Sequence, residues 1–311
     1  MDILLAKEVI DCLPKNRTLY HYYKDAYAVS LLRRYLFRHG DQTLAHIRQS
    51  KYAKLLAKPI FAELLASLGK GLLSHRHLDA MWESECESYV LTLGTWGDNR
   101  SYEWEQVSRP GSNLVLQLNF SNKHDEAYRT KALGDFDEFQ YRGHPVSSKR
   151  CTMAWARIDF DFASNEALIE EVQTDWLRSV GWLESLCQRA AHRKLSRFSY
   201  YDQLLYVDKV FAYLQEVSKH QKIWSEAMLN AAVNFIVDEI GIRNIYYHSF
   251  NTGAVLKQIK SRKPPKSLYT ELPKRFCFDV VNEGPSFIRE NKKAKRKLKA
   301  MKQQQWFAMA V

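Results

Sequence analysis

The stretch "ALIEEVQTDWLR", residues 167–178, opens as a strand and closes as something else. Ala167, Leu168, Ile169 and Val172 supply apolar bulk, yet Glu170, Glu171, Gln173 and Asp175 crowd the same few positions before Trp176. Acids are depleted in strands that only hold a fold together, so these carboxylates call for a second role. Just upstream, "CTMAWARIDFDF" (151–162) alternates: Arg157, Asp159 and Asp161 share one face, and Ile158, Phe160 and Phe162 share the other. The short "ASNE" turn joins the two stretches into a hairpin. A three- or five-residue loop sets Asp159 opposite Glu171 and Arg157 opposite Gln173. A two-residue loop sets Asp159 opposite Glu170 and leaves Glu171 beside Ile158. In the first register one polar face collects Arg157, Asp159, Glu171, Gln173 and Asp175. Close carboxylates raise one another's pKa, as proton transfer requires, or hold a hard cation such as Mg²⁺. The plainer alternative is an ion-pair network on a solvated sheet face.

Outward from the hairpin, residues 1–85 carry helical spacing. "DAYAVSLLRRYLFRHG" repeats apolar residues at Tyr27, Leu31, Leu32, Tyr35 and Leu36 and stops on Gly40. From residue 86 the period becomes two, in "SYVLTLGTW" and "NLVLQLNF", with the Asp98-Asn99 turn and "RPGSN" as punctuation. After Trp176 the pattern predicts helices near 176–194 and 202–219 and a third over "WSEAMLNAAVNFIVDEIG". It then predicts a strand in "IRNIYYHSF", a short helix in "GAVLKQIKS" and a last strand in "KRFCFDVV". The fold class expected is α+β, or mixed α/β. A helical N-terminal region (1–85) packs on a body (86–285) with a mixed, largely antiparallel sheet, and a basic C-terminal tail (286–311) follows.

With 46% hydrophobic and 13% aromatic residues, the 311-residue chain is globular in composition. No apolar run approaches the roughly 18 residues of a membrane span, and Asp2 stands where a secretory leader is basic. The five cysteines (Cys12, Cys86, Cys151, Cys187, Cys277) are scattered singly, without a zinc or disulfide spacing. A reduced, cytoplasmic setting with no membrane partner is the expectation. Much of the net charge of +11 sits in "RENKKAKRKLKAMK" (289–302), which holds eight Lys/Arg and one Glu. Lys292, Lys293, Lys295, Arg296, Lys297 and Lys299 are the nucleic-acid candidates, since concentrated cations release counterions from phosphates. A solvated terminal helix is the bland alternative.

Position for position, Glu171, Gln173, Asp175 and Trp176 resemble the "EEIQSDWHQ" phrase of a domain found in large polyvalent proteins of phages and conjugative elements. That likeness spans roughly residues 125–280 and implies a fold neighbourhood and a mobile-element origin, with no settled chemistry. Leu177-Arg178 departs from the family's His-Gln. A fainter resemblance links "NIYYHSFNTGAVLKQI…SLYTELPKRFCFDVV" to GNAT-type acetyltransferases, which implies acyl transfer from acetyl-CoA. The glycine-rich turn that would cradle the coenzyme's pyrophosphate is missing. Two functions therefore stand side by side. One is an enzyme-like protein, acyltransferase-like or acting on a nucleotide or nucleic acid. In it Glu171 or Asp175 is general base, Gln173 orients the substrate, and Asp159 and His248 assist as acid–base groups. Arg157, Trp176, Asn251, Thr252 and Gly253 would bind substrate, with acetyl-CoA or a divalent cation as the candidate cofactor. The other is a non-catalytic, nucleic-acid-associated accessory protein. His144, in "GHPVS", reads more simply as a turn residue.

Overall fold

The alternating stretches build one eight-stranded sheet in a computed structural model that describes residues 1–12, 18–69, 71–81, 85–97, 106–133, 139–260 and 264–311. Its strands are β1 (Thr18–Tyr22), β2 (Glu87–Trp96), β3 (Asn113–Asn119), β4 (Thr152–Asp161), β5 (Glu166–Gln173), β6 (Asn244–His248), β7 (Asp279–Val281) and β8 (Trp306–Ala310). Their spatial order is β1-β2-β3-β4-β5-β6-β8-β7. Neighbours are antiparallel except β5 and β6, which run parallel. Around the sheet lie α1 (Ile3–Cys12), α2 (Ala26–His39), α3 (Trp176–His192), α4 (Val207–Asn234), α5 (Phe250–Leu256) and α6 (Lys292–Lys299). The fold is α+β, with a mixed, largely antiparallel sheet.

A parallel pair cannot be joined by a tight turn, so the chain leaves β5 through α3 and α4 before returning as β6. Those helices cover one sheet face. Leu114, Leu116, Ala156, Ile158, Ile169 and Val172 from the strands meet Trp176, Val180, Tyr213 and Ala231 from the helices in the main core. The N-terminal residues Tyr22, Tyr27, Leu31 and Leu32 belong to that same core. Buried Glu226 of α4 also pins the turn before α2, accepting from the Asp25 amide at 3.0 Å and from Lys24 Nζ at 2.7 Å. The opposite face carries a smaller apolar cluster of Leu168, Leu256, Phe287, Ile288, Ala294, Leu298 and Trp306.

Four expectations change. The region before residue 85 is mainly helical and α2 stops on Gly40, at φ 73° with its N–H on Leu36, but Thr18–Tyr22 is an edge strand paired with β2. The helices expected at 202–219 and 224–240 merge into the 28-residue α4, because no glycine or proline interrupts residues 207–234. The β-prone "RFSYYDQLLY" ahead of it forms a separate hairpin, Arg197–Tyr200 with Gln203–Tyr206. "KRFCFDVV" splits into a helical turn (Glu271–Arg275) and the short β7. The fourth change concerns the tail. Residues 286–311 fold back, with Ala294 and Leu298 of α6 buried and β8 inserted between β6 and β7. The Asp98-Asn99 turn falls outside the described residues.

Trp306, fully buried, explains Gly284: a Cβ there would stand 2.4 Å from the indole ring. Since β8 pairs with β6 along residues 306–310 and also with β7 over 306–308, its backbone amides are expected to exchange near the rate of global unfolding. A chain ended at Lys302 is expected to lose cooperative thermal unfolding, as read by circular dichroism. Fast exchange of 306–310 in the intact protein would contradict this strand placement.

Candidate functional site

The loop between β4 and β5 has four residues, 162–165, so neither anticipated register forms. From the loop the pairs run Asp161↔Glu166, Asp159↔Leu168 and Ile158↔Ile169. The register then slips, and Arg157 faces Glu171 and Trp155 faces Gln173. Glu170 is the extra residue of a β-bulge. A bulge turns two successive side chains towards one side of the sheet. Glu170 and Glu171 accordingly both reach groups on the face opposite α3 and α4.

Around Glu171 the charges pair off in the dry interior. Arg157 donates to Glu171 Oε2, and Lys257 Nζ lies 3.3 Å from the same oxygen and 3.1 Å from the Glu170 carbonyl. All three side chains are buried. Glu170 accepts from the Ser108 amide (3.1 Å) and hydroxyl (2.7 Å), and His248 Nε2 lies 2.7 Å from Ser108 Oγ and 3.2 Å from Glu170. His248 Nδ1 meets no partner among the described residues, and its ring stacks on Trp306 at 5.0 Å. Burial lowers the His248 pKa, with Lys257 and Arg157 adding to the effect against Glu170. The neutral Nε2–H tautomer fits this pattern. Burial alone would raise Glu171, but Lys257 and Arg157 outweigh it and bring the carboxyl down to about 2. Glu170 is held low in the same way, burial being overcome by its hydrogen bond to His248 and by nearby cations.

A second cluster stands where β5 ends and α3 begins. Asp175, buried at the N-cap of α3, accepts from His144 Nδ1 at 2.9 Å, Trp155 Nε1 at 3.1 Å, Gln173 Nε2 at 3.0 Å, and Arg178. Burial raises its pKa, but the hydrogen bond and charge of His144, with Trp155 and Arg178, bring the net shift below the ordinary carboxylate value. The His144 ring sits between Tyr141 (4.7 Å) and Trp155 (5.5 Å), and its side chain remains 29% exposed. No hydrogen bond reaches its Nε2 among the described residues.

Of the residues singled out from the sequence, Gln173 and Asp175 come together, while Glu171 and Arg157 form the separate buried network. Asp159 is not within their reach. It faces Leu168 and is held by Arg109 (2.6 and 3.0 Å) and the Met1 amine (2.7 Å). Trp176 points to the other face, into the aromatic core, with its Nε1 on Tyr213. Thr252 and Gly253 lie in the first turn of α5, where their amides are taken by Ser249 Oγ and Ser249 O, and Asn251 is exposed beside them. His248 is wholly buried and has no route to a substrate as it stands. Sequence reasoning missed Ser108 and Lys257 and gave His144 no role. Lys257 had a signal, since it extends the buried stripe of Gly253 and Leu256 on α5. Ser108 had none.

No family model, curated protein or solved structure matches the chain.

Glu171→Gln should unbalance a buried network and cost about 3–5 kcal/mol in urea unfolding at pH 7. The pH dependence has a defined sign. A carboxyl lowered from 4.5 to about 2 stabilises the fold above its unfolded pKa, and that contribution, roughly 3 kcal/mol, disappears as pH falls from about 5 to about 2. Wild-type unfolding midpoints should drop across that window and those of Glu171→Gln should drop less. Equal slopes would mean that Glu171 is not the titrating group.

Proposed function

We propose that the chain is an enzyme-like α+β protein whose acid–base centre is His144, held by Asp175 and Gln173, acting on an anionic substrate such as a nucleotide or nucleic acid. The observation that carries this reading is the bond from His144 Nδ1 to a buried aspartate, on a side chain that stays 29% exposed and whose Nε2 has no hydrogen bond among the described residues. A carboxylate on Nδ1 fixes the tautomer and stabilises the imidazolium that forms when Nε2 takes a proton. Gln173 steadies the same carboxylate. Arg178, 65% exposed and bound to Asp175, offers a cation beside the histidine, and Arg142 lies two residues away in the chain. In this reading Glu171 supports the scaffold, since with two buried cations on it the carboxylate is too weak a base to take a proton near neutral pH.

The acyltransferase-like reading draws on the stretch "NIYYHSFNTGAVLKQI…SLYTELPKRFCFDVV", which folds as β6, α5 and, after a helical turn, β7. Less favourable to it is the N-terminus of α3, where an anionic carrier would meet the Asp175 carboxylate. The notch where β5 and β6 part is also filled by Ser108, Glu170 and His248. A non-catalytic reading draws on α6, whose Lys293, Lys295, Arg296 and Lys299 are exposed on one side.

His144→Gln should lower turnover by about 10²–10⁴-fold on whichever nucleotide, phosphodiester or acyl-CoA substrate a panel assay identifies. Its thermal stability should stay within about 1 kcal/mol, as for other partly exposed positions. Asp175→Asn should lower turnover as well and shift the pH–rate profile. Turnover unchanged in His144→Gln would overturn the assignment.

A further inference from the structure

The hairpin Arg197–Tyr200 with Gln203–Tyr206 belongs to neither cluster. Its register, Arg197↔Tyr206 and Ser199↔Leu204, puts those four residues on one face, while Phe198, Tyr200 and Leu205 turn towards the core. A hairpin face turned to water is ordinarily polar. Here Leu204 is 55% and Tyr206 48% exposed, and the surface carries on through Tyr201 (53%) and Trp182 of α3 (46%). The Trp182 ring lies 5.1 Å from Tyr200 and 5.4 Å from Tyr201. Contiguous exposed rings of this kind mark a binding surface.

Tyr201 sharpens the point. It is the first residue of a two-residue hairpin turn and holds φ 49°, a place where glycine is favoured and a bulky side chain is strained. The fold keeps a strained, half-exposed aromatic ring at the hairpin tip, where a glycine would make the same turn without strain.

Charge selects the partner. Residues 189–211 hold five Lys/Arg (Arg189, Arg193, Lys194, Arg197, Lys209) and two Asp, and all five cations are exposed. Lys209 Nζ stands 5.5 Å from the centre of the Tyr206 ring. Flat rings interleaved with cations are what a single-stranded nucleic acid needs, bases stacking on the rings and phosphates meeting the cations. A closed duplex hides the base faces that such rings engage.

We infer that this hairpin, with Trp182 and the C-terminal part of α3, is a binding surface for single-stranded nucleic acid. It lies across the sheet from basic α6, and its member Trp182 stands seven residues, about 10 Å, along α3 from Asp175. It stands independently of the chemistry assigned to His144.

The test is fluorescence anisotropy of the full chain with a labelled oligo-dT of roughly 15 nucleotides and with a duplex of equal length. Oligo-dT should bind more tightly than the duplex, and more weakly as salt rises. Tyr201→Gly removes the backbone strain, so its melting temperature should hold or rise, while oligo-dT affinity falls at least about fivefold. Arg193→Glu with Arg197→Glu should weaken binding and flatten the salt dependence. The inference fails if the duplex binds as well as oligo-dT, or if folded Tyr201→Gly keeps wild-type affinity. It also fails if only reversing Lys293 and Lys295 on α6 abolishes binding, or if sedimentation shows the patch closing on a second copy with no oligonucleotide bound.

Discussion

Two adjacent carboxylates, Glu170 and Glu171, enter the sheet interior on the same side of one strand, and much of the polar architecture answers that constraint. Uncompensated, either charge would cost several kcal/mol in a dry interior. Arg157 comes from the paired strand, Lys257 from the end of α5, and Ser108 from the loop before β3. Each tie draws in a different part of the chain. The network joins β4, β5, β6 and α5 where the sheet changes from antiparallel to parallel.

That change has a geometric consequence. β5 and β6 are paired from Glu166/Asn244 to Ile169/Tyr247, and beyond that point the strands continue as Glu170 and His248. Open sheets commonly bind ligands outside the carboxyl ends of such strands. Here the inner part of that region is filled by the Ser108, Glu170 and His248 side chains. The polar groups that stay open to solvent lie further along, at the junction of β5 with α3, where Asp175 orients His144. Burial separates two tasks for one motif: its first acids hold the scaffold, and its last organises a reachable histidine.

The C-terminal segment follows related physics. Five exposed cations, Lys292, Lys293, Lys295, Arg296 and Lys299, keep one side of α6 in water, but Ala294 and Leu298 occupy the positions that face the sheet. A sequence dominated by charge conceals so narrow an apolar stripe. β8 then covers the flank of β6 and stacks Trp306 on His248.

The sequence by itself determined the α+β class, the β4–β5 hairpin and the strands β2, β3 and β6, because periodicity and composition are local properties. Tertiary structure decided the rest. The four-residue loop set Asp159 opposite Leu168, and one bulged residue, Glu170, then brought Glu171 opposite Arg157 in place of Ala156; a one-residue slip turns every side chain beyond it to the other face. Asp175 found its histidine 31 residues upstream, and Glu170 found its serine 62 residues upstream and its histidine 78 residues downstream. Single polar residues carry no periodicity, so nothing in the neighbouring sequence announces such partners. Only the packed sheet, which has to satisfy each buried charge, brings them together.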